Sequence, residues 1–159
     1  MSATAILNGP ADPSLASALG AAGFAFGDAP PATLLVNLGG DAAAAIGTAE
    51  RFAEAAREES LVVSILHPHT RDNWPAARDA AILWAFTRHA ALAWAPRGIR
   101  VNAVGLGISP VLATQPQEAS GQPAGPVPAP AATPSDIAAT ILAIWGFRSM
   151  TGQLIRLGA

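Results

Sequence analysis

The sequence predicts an α/β protein in which a parallel β-sheet is covered by helices on both faces. Short apolar runs alternate along the chain with longer Ala-rich segments, which is the pattern of strand–helix units. The apolar runs are nearly continuous, as is typical of strands buried on both faces. A chain of 159 residues with 51% hydrophobic and 13% charged side chains also suits one compact core. We therefore expect residues 1–159 to form a single domain.

The first half of the chain predicts three buried strands separated by two helices. The turn residues Asn8 and Gly9 end the first apolar run. Asp12 is an N-cap and Pro13 a favourable first residue for the first helix, and Asp41 caps the second. The predicted elements are a strand at 3–6, a helix within 12–23, a strand at 32–40, a helix at 41–60 and a strand at 61–66.

The second half predicts a long helix, a strand, a loop and a final helix–strand pair. Pro96 and Gly98 stop the long helix, and Thr133 with Pro134 begins the last one. The loop between them contains seven of the chain's fourteen prolines and is a Pro/Ala/Gly-rich segment within the domain. The predicted elements are a helix at about 74–95, a strand at 99–104, the loop at 110–134 and a strand at 152–157.

Four segments resemble the short-chain dehydrogenases/reductases. Residues 80–107, AAILWAFTRHAALAWAPRGIRVNAVGLG, resemble the family's fifth helix and sixth strand, and residues 135–159 resemble its last helix and strand. The run LLVNLGG keeps Asn37 and Gly40 of the strand that ends in Asn-Asn-Ala-Gly, and AILNG keeps Gly9 of the strand before the glycine-rich turn. The resemblance implies a Rossmann-like, mostly parallel sheet.

The spacing before the second long apolar run predicts a trimmed version of that sheet. Only the nine residues FAFGDAPPA lie between the first helix and TLLVN, whereas a parallel crossover needs about a dozen or more. We therefore expect the strand order to be about 1-4-5-6-7 in the family's labels, with the second and third strands lost. Asp28 lies at a suitable distance from Gly9 for a ribose-binding acid, but this order leaves it without its strand.

The resemblance implies hydride transfer between NAD(P) and a carbonyl or alcohol, and the sequence lacks the groups for it. In the family a Tyr acts as the acid/base, a Lys four residues later lowers its pKa, and a Ser orients the substrate. The Tyr and Lys positions correspond to Ala76 and Ala80, and the chain contains no Tyr and no Lys. Ser64 and Asn37 remain nearby. We therefore predict no catalytic residue.

The nucleotide-binding turn is altered in the same way. The family's three glycines let backbone amides and a helix N-terminus meet the pyrophosphate. Here Gly9 remains, while the other two positions are Pro13 and Leu15. Asp12 is expected to cap the same amides and to repel a phosphate. We expect no cofactor, with Gly9, Asn37 and Gly40 as vestiges of the site and NAD(P) binding as the alternative.

A polar loop offers a different kind of site. His67 and His69 lie two residues apart after a strand, where open α/β sheets bind ligands. Asp72, Asp79 and His89 are further candidate ligands for Zn or Fe. An exposed loop without metal is the favoured interpretation, and a metal- or His-dependent enzyme at 64–72 is the alternative.

The long helix predicts association with another chain, because it is apolar almost all round. One side packs on the sheet, and in the resembled family this helix forms part of the subunit interface. An alternative is that Trp84 lies beneath the Pro-rich loop. The residues predicted at the interface are Trp84, Arg88, Ala77, Ala81 and Ala91.

These observations predict a protein partner and exclude several others. A net charge of −2 argues against nucleic acid or an anionic membrane, and with no signal peptide visible the expected location is the cytoplasm. The predicted function is a non-catalytic subunit that forms a homo-oligomer, or a heteromer that supports or regulates an intact short-chain dehydrogenase. The alternative is an atypical NAD(P)-dependent oxidoreductase completed by a partner chain.

Overall fold

Six parallel strands form one sheet, in the order β2-β1-β3-β4-β5-β6. The computed structural model describes residues 3–10, 12–27, 32–67, 73–107 and 132–157. The strands are β1 Ala3–Asn8, β2 Phe24–Phe26, β3 Leu34–Asn37, β4 Leu61–Leu66, β5 Arg100–Leu106 and β6 Leu154–Leu157. The helices are α1 Pro13–Ala21, α2 Ala42–Ala55, α3 Trp74–Trp94 and α4 Pro134–Gly146, with a short 3-10 turn Ala95–Arg97 after α3. The predicted α/β class with a Rossmann-like parallel sheet is confirmed.

The helices cover both faces of the sheet, as the continuous apolar strands predict. Helices α1 and α4 pack on one face, where Leu15, Leu19 and Ile141 are buried against alternate strand residues. Helices α2 and α3 pack on the other face, where Phe52 and Leu83 belong to the buried clusters. Strands β3 and β4 are buried throughout because they lie between the two layers.

The predicted loss of the second strand is wrong. Phe24–Phe26 pairs parallel with β1, with Phe26 opposite Ala5, and β3 begins with Leu34 opposite the same Ala5 on the other side of β1. Because β3 starts level with the end of β2, the two strand ends to be joined are separated only by the width of β1. The minimum length for a helical crossover therefore does not apply. In the family's labels the order is 2-1-4-5-6-7, and only the third strand is lost with its helices.

A buried cation fastens α4 to the sheet. The Arg100 side chain, only 7% exposed, donates hydrogen bonds from Nη1 to the carbonyls of Ile144 (2.7 Å) and Phe147 (2.9 Å). Its Nη2 donates to the carbonyl of Trp145 at 3.3 Å. Burial, and then the nearby Arg148 guanidinium, lower the pKa of Arg100. A cation at a helix C-terminus satisfies carbonyls that have no partner within the helix.

The start of α4 has the predicted capping box. Thr133 N donates to Asp136 Oδ2 at 2.8 Å, and Asp136 N donates to Thr133 Oγ1 at 3.2 Å. Hydrogen bonds from the Thr133 hydroxyl and then from its backbone N–H hold the pKa of the Asp136 carboxyl below its ordinary value. Residues 108–131, which are most of the predicted 110–134 loop, lie outside the described residues.

Candidate functional site

The N-terminus of α1, where this type of fold holds a phosphate, is closed by its own cap. Asp12 Oδ1 accepts hydrogen bonds from the backbone N–H groups of Ser14 and Leu15, both at 3.0 Å. Pro13 offers no N–H. A carboxylate therefore already occupies the amides that a pyrophosphate requires, and its charge repels a second anion. The residues present do not fit a dinucleotide bound in the family's manner.

The turn after β1 nevertheless keeps the glycine that such a site needs. Gly9 has φ +125°, and a Cβ there would lie 3.1 Å from the Leu38 Cβ. Gly40 has φ +97° and faces open space. These two predicted vestiges have the backbone conformation that favours glycine, but the closed helix end beside them leaves no anion site. The predicted residues Gly9 and Gly40 thus lie together at the carboxyl edge of the sheet.

A row of polar side chains crosses three neighbouring strands near their carboxyl ends. Asn8, Asn37 and Ser64 are in register on β1, β3 and β4, and Asn8 Nδ2 donates to Asn37 Oδ1 at 2.8 Å. Asn37 Nδ2 donates in turn to the Ala45 carbonyl of α2 at 3.4 Å. Ser64 is fully buried, and its hydroxyl has no hydrogen-bond partner among the described residues. It therefore lies inside the fold.

The positions of the missing acid/base groups line a small cavity. Ala76 and Ala80 of α3 face a space of about 220 Å³ that is also lined by His67 and Asp79. His67 Nε2 bonds the Leu38 carbonyl, and its ring lies against Gly39, where a Cβ would come within 2.4 Å of the imidazole. Asp79 forms an ion pair with Arg78 at 2.9 Å. Neither alanine transfers a proton, so this cavity has no counterpart of the family's Tyr and Lys.

The described residues test only part of the metal-site hypothesis. His69 and Asp72 lie outside the described residues. Within the described part of the chain, no group of three metal-ligating side chains comes together. His89 is exposed on α3 and does not line the cavity that His67 and Asp79 line.

The five predicted interface residues do not share one face of α3. Ala91 is buried at 3% exposure in the core cluster under the helix, and Trp84 is half-buried against the cluster that contains Leu83. Ala81 and Arg88 are exposed, and Ala77 is half-buried. The Ala-rich pattern did not distinguish the buried side of α3 from the exposed side, because alanine is compatible with both.

The side of α3 that faces away from the core has its own apolar stripe. We define the outer face of α3 as Ala81, Ile82, Ala85, His89 and Leu92, which are all exposed; after the adjacent pair Ala81 and Ile82 the spacing is three or four residues. Ile82 is 41% exposed and Leu92 is 80% exposed. The sequence analysis did not place Ile82, Ala85 and Leu92 at the interface; a helical projection centred on the buried Leu83 and Thr87 separates them from the core side. No described helix combines the length and apolar character needed to cross a membrane.

Comparison with known proteins supports the architecture. No protein-family model and no curated protein sequence matches the chain. Among solved structures, a short-chain dehydrogenase/reductase from Serratia marcescens is 15% identical, with a TM-score of 0.72 over 99% of this chain and 96% of its own. An oxidoreductase of the same family from Brucella ovis, in complex with a partially ordered NAD, is 17% identical, with a TM-score of 0.65 over 99% of this chain and 100% of its own.

A small-chain dehydrogenase in complex with NADPH is a third similar structure. It is 17% identical, with a TM-score of 0.70 over 99% of this chain and 97% of its own. At these identities the likeness establishes the backbone arrangement and leaves the chemistry to the residues described above. The chain has the fold of the short-chain dehydrogenases/reductases.

Proposed function

We propose that this protein is a non-catalytic subunit that associates through the outer face of α3 and supports or regulates an intact short-chain dehydrogenase. The observation that carries the proposal is the exposure of Leu92 and Ile82 on a helix whose opposite side is already buried in the core. Burial of one such side chain contributes about 1.5–3 kcal/mol. A protein partner is the natural cover for a stripe of this kind.

The lack of acid/base chemistry supports the same proposal. Ala76 and Ala80 face the cavity where the fold's proton-transfer groups belong, and the Asp12 carboxylate occupies the phosphate position. A chain with this sheet and this exposed helix but without these groups is better suited to binding another protein than to hydride transfer. Homo-oligomers and heteromers both satisfy the proposal.

The experiment is light scattering coupled to size exclusion, for the chain alone and mixed with a full-length short-chain dehydrogenase from the same organism. Leu92→Glu should convert the assembly into a monomer, because an unpaired carboxylate in an apolar contact is desolvated at a cost of several kcal/mol. Ala139→Glu is the matched control, since Ala139 is exposed on α4 on the opposite face of the sheet. A parent chain that is monomeric and captures no dehydrogenase contradicts the proposal.

A second candidate is an NAD(P)-dependent oxidoreductase completed by a partner chain. It is favoured by the presence of β2, which ends at Phe26 beside β1; Gly27, whose N–H donates to the Ala5 carbonyl, and then Asp28 follow in the sequence. Titration of the isolated chain with NADPH separates the two functions. Micromolar binding favours the oxidoreductase, and no binding favours the subunit. The double variant Ala76→Tyr with Ala80→Lys should show no reductase activity, because the phosphate position stays closed by Asp12.

A further inference from the structure

A cleft of about 620 Å³ opens beside the carboxyl half of β1 and is lined by residues of both α1 and α2. Ile6 and Phe26 form its apolar walls, with Phe52 behind them, and Asn8, Thr48 and Arg51 bring polar groups to its rim. It is separate from the cavity at Ala76 and Ala80, with which it shares no lining residue. Ligand pockets in proteins have this size and this composition of apolar walls with a few polar groups.

The helices among the described residues leave β1 uncovered beside the cleft. On one face of the sheet α2 and α3 pack over the strands from β3 onward, as the clusters with Phe52 and Leu83 show. Among the described residues, no helix follows β2 to cover β1 in the same way. Ile6 consequently stays half-buried at the edge of the cluster. Phe26, on the edge strand β2, lies beside Gly20 of α1 and is 45% exposed. Both side chains retain apolar surface for a ligand.

Arg51 gives the cleft a positive rim. Its Nη2 donates a hydrogen bond to the Thr48 hydroxyl at 3.0 Å, and that hydroxyl donates to the Ala44 carbonyl at 3.0 Å. No carboxylate of the described residues forms an ion pair with Arg51. A guanidinium has five N–H donors in a planar fork that matches a carboxylate or a phosphate. Thr48 uses one of these donors and holds the group at the cleft.

From this geometry we infer that the cleft binds a small oxyanion, a carboxylate or a phosphate monoester, that carries a compact apolar body. The oxyanion pairs with Arg51, the apolar body lies against Ile6 and Phe26, and the Asn8 amide adds a polar contact. A dinucleotide is a different ligand, because its pyrophosphate needs the helix end that Asp12 closes. The inference does not depend on association through α3.

Phenyl phosphate, benzoate and inorganic phosphate are suitable probes, followed by amide chemical shifts in two-dimensional NMR. Phenyl phosphate or benzoate should shift the amides of Asn8, Gly27 and Thr48 in a saturable way. Inorganic phosphate, which has no apolar body, should bind at least about tenfold more weakly. Arg51→Gln should weaken binding by about tenfold or more, since it removes a charge-assisted contact. Arg57→Gln is the matched control, because Arg57 is exposed beyond the end of α2 and away from the cleft.

A second variant tests the apolar walls. Ala16 lines the cleft from α1, and Ala16→Phe should fill it and abolish the shifts while circular dichroism stays that of the parent. The inference is overturned by an absence of saturable shifts with both aromatic probes, or by equal binding to the parent and to Arg51→Gln. It is also overturned if NADP shifts the same amides at lower concentrations than phenyl phosphate, which would make the cleft a nucleotide site.

Discussion

The two ends of the sheet differ in how much structure covers them. At the β5–β6 end, α3 and α4 lie on opposite faces, and Arg100 ties α4 to the strands through three carbonyls. At the β1–β2 end, β2 has only three residues, and the cleft at Arg51 lies beside β1. The contrast shows that the β5–β6 end is covered by helices on both faces, whereas the β1–β2 end lacks the family's third strand and opens into a cleft.

The largest effect should come from the well-covered end. Arg100→Leu removes the guanidinium donor from the carbonyls of Ile144 and Trp145, whereas the Phe147 carbonyl keeps the N–H of Met150 at 3.0 Å. Each such loss costs about 1–3 kcal/mol, so we expect unfolding free energy to fall by about 3–4 kcal/mol in urea. Arg156→Leu is the control, because Arg156 is exposed on β6. A loss below about 1 kcal/mol would mean that α4 is held by its apolar face alone.

At the β1–β2 end we expect a smaller loss of unfolding free energy, and the same variant tests whether β2 packs as a strand. Phe24 is 6% exposed and packs edge-on against Trp145, with ring centroids 5.6 Å apart. Phe24→Ala should cost about 2–3 kcal/mol, near the lower end of the range for buried aromatics, because the strand lies at the sheet edge. Phe26→Ala is the control, since Phe26 is 45% exposed. Equal losses for the two variants would show that β2 does not pack as described.

The smallest effect concerns the pH dependence of the α4 cap. Because the pKa of Asp136 is lowered in the folded state, its contribution is present above its unfolded pKa and is lost as pH falls through the folded value. Thr133→Val removes the hydroxyl that is the main cause. The pKa of Asp136 should rise toward its ordinary value, and the stability difference from the parent should shrink in acid. A carboxyl NMR titration measures this, and an unchanged pKa would contradict it.

Most elements could be predicted from the sequence because their signals are local. Asp12 and Thr133 occupy the cap positions that their side chains indicate, and Pro96 and Gly98 end α3 as expected. The strand β2 could not be predicted, since its existence depends on the register between Phe26 and Leu34 across β1. The length of the connector between the first helix and β3 does not determine this register.

The candidate sites were less predictable than the fold, because they depend on which way side chains face. Ala91 and Leu92 are neighbours of similar polarity, yet one is 3% exposed and the other 80%. The cleft at Arg51 depends on a part of β1 that no described helix covers. A sequence carries no signal for the absence of a covering helix. The absence of Tyr and Lys, by contrast, can be read directly from the sequence.

The end of β2 and the start of β3 lie at the same height of the sheet. The chain between them is therefore a site at which additional structure can be inserted. Phe26 and Leu34 both lie opposite Ala5, so a strand–helix unit inserted after Gly27 would leave and return at the same height of the sheet. The register of β1 with β3, and of every strand beyond, would stay as it is. This position is thus a natural graft point, where a nucleotide-binding unit or a reporter domain can be added without redesign of the remaining sheet.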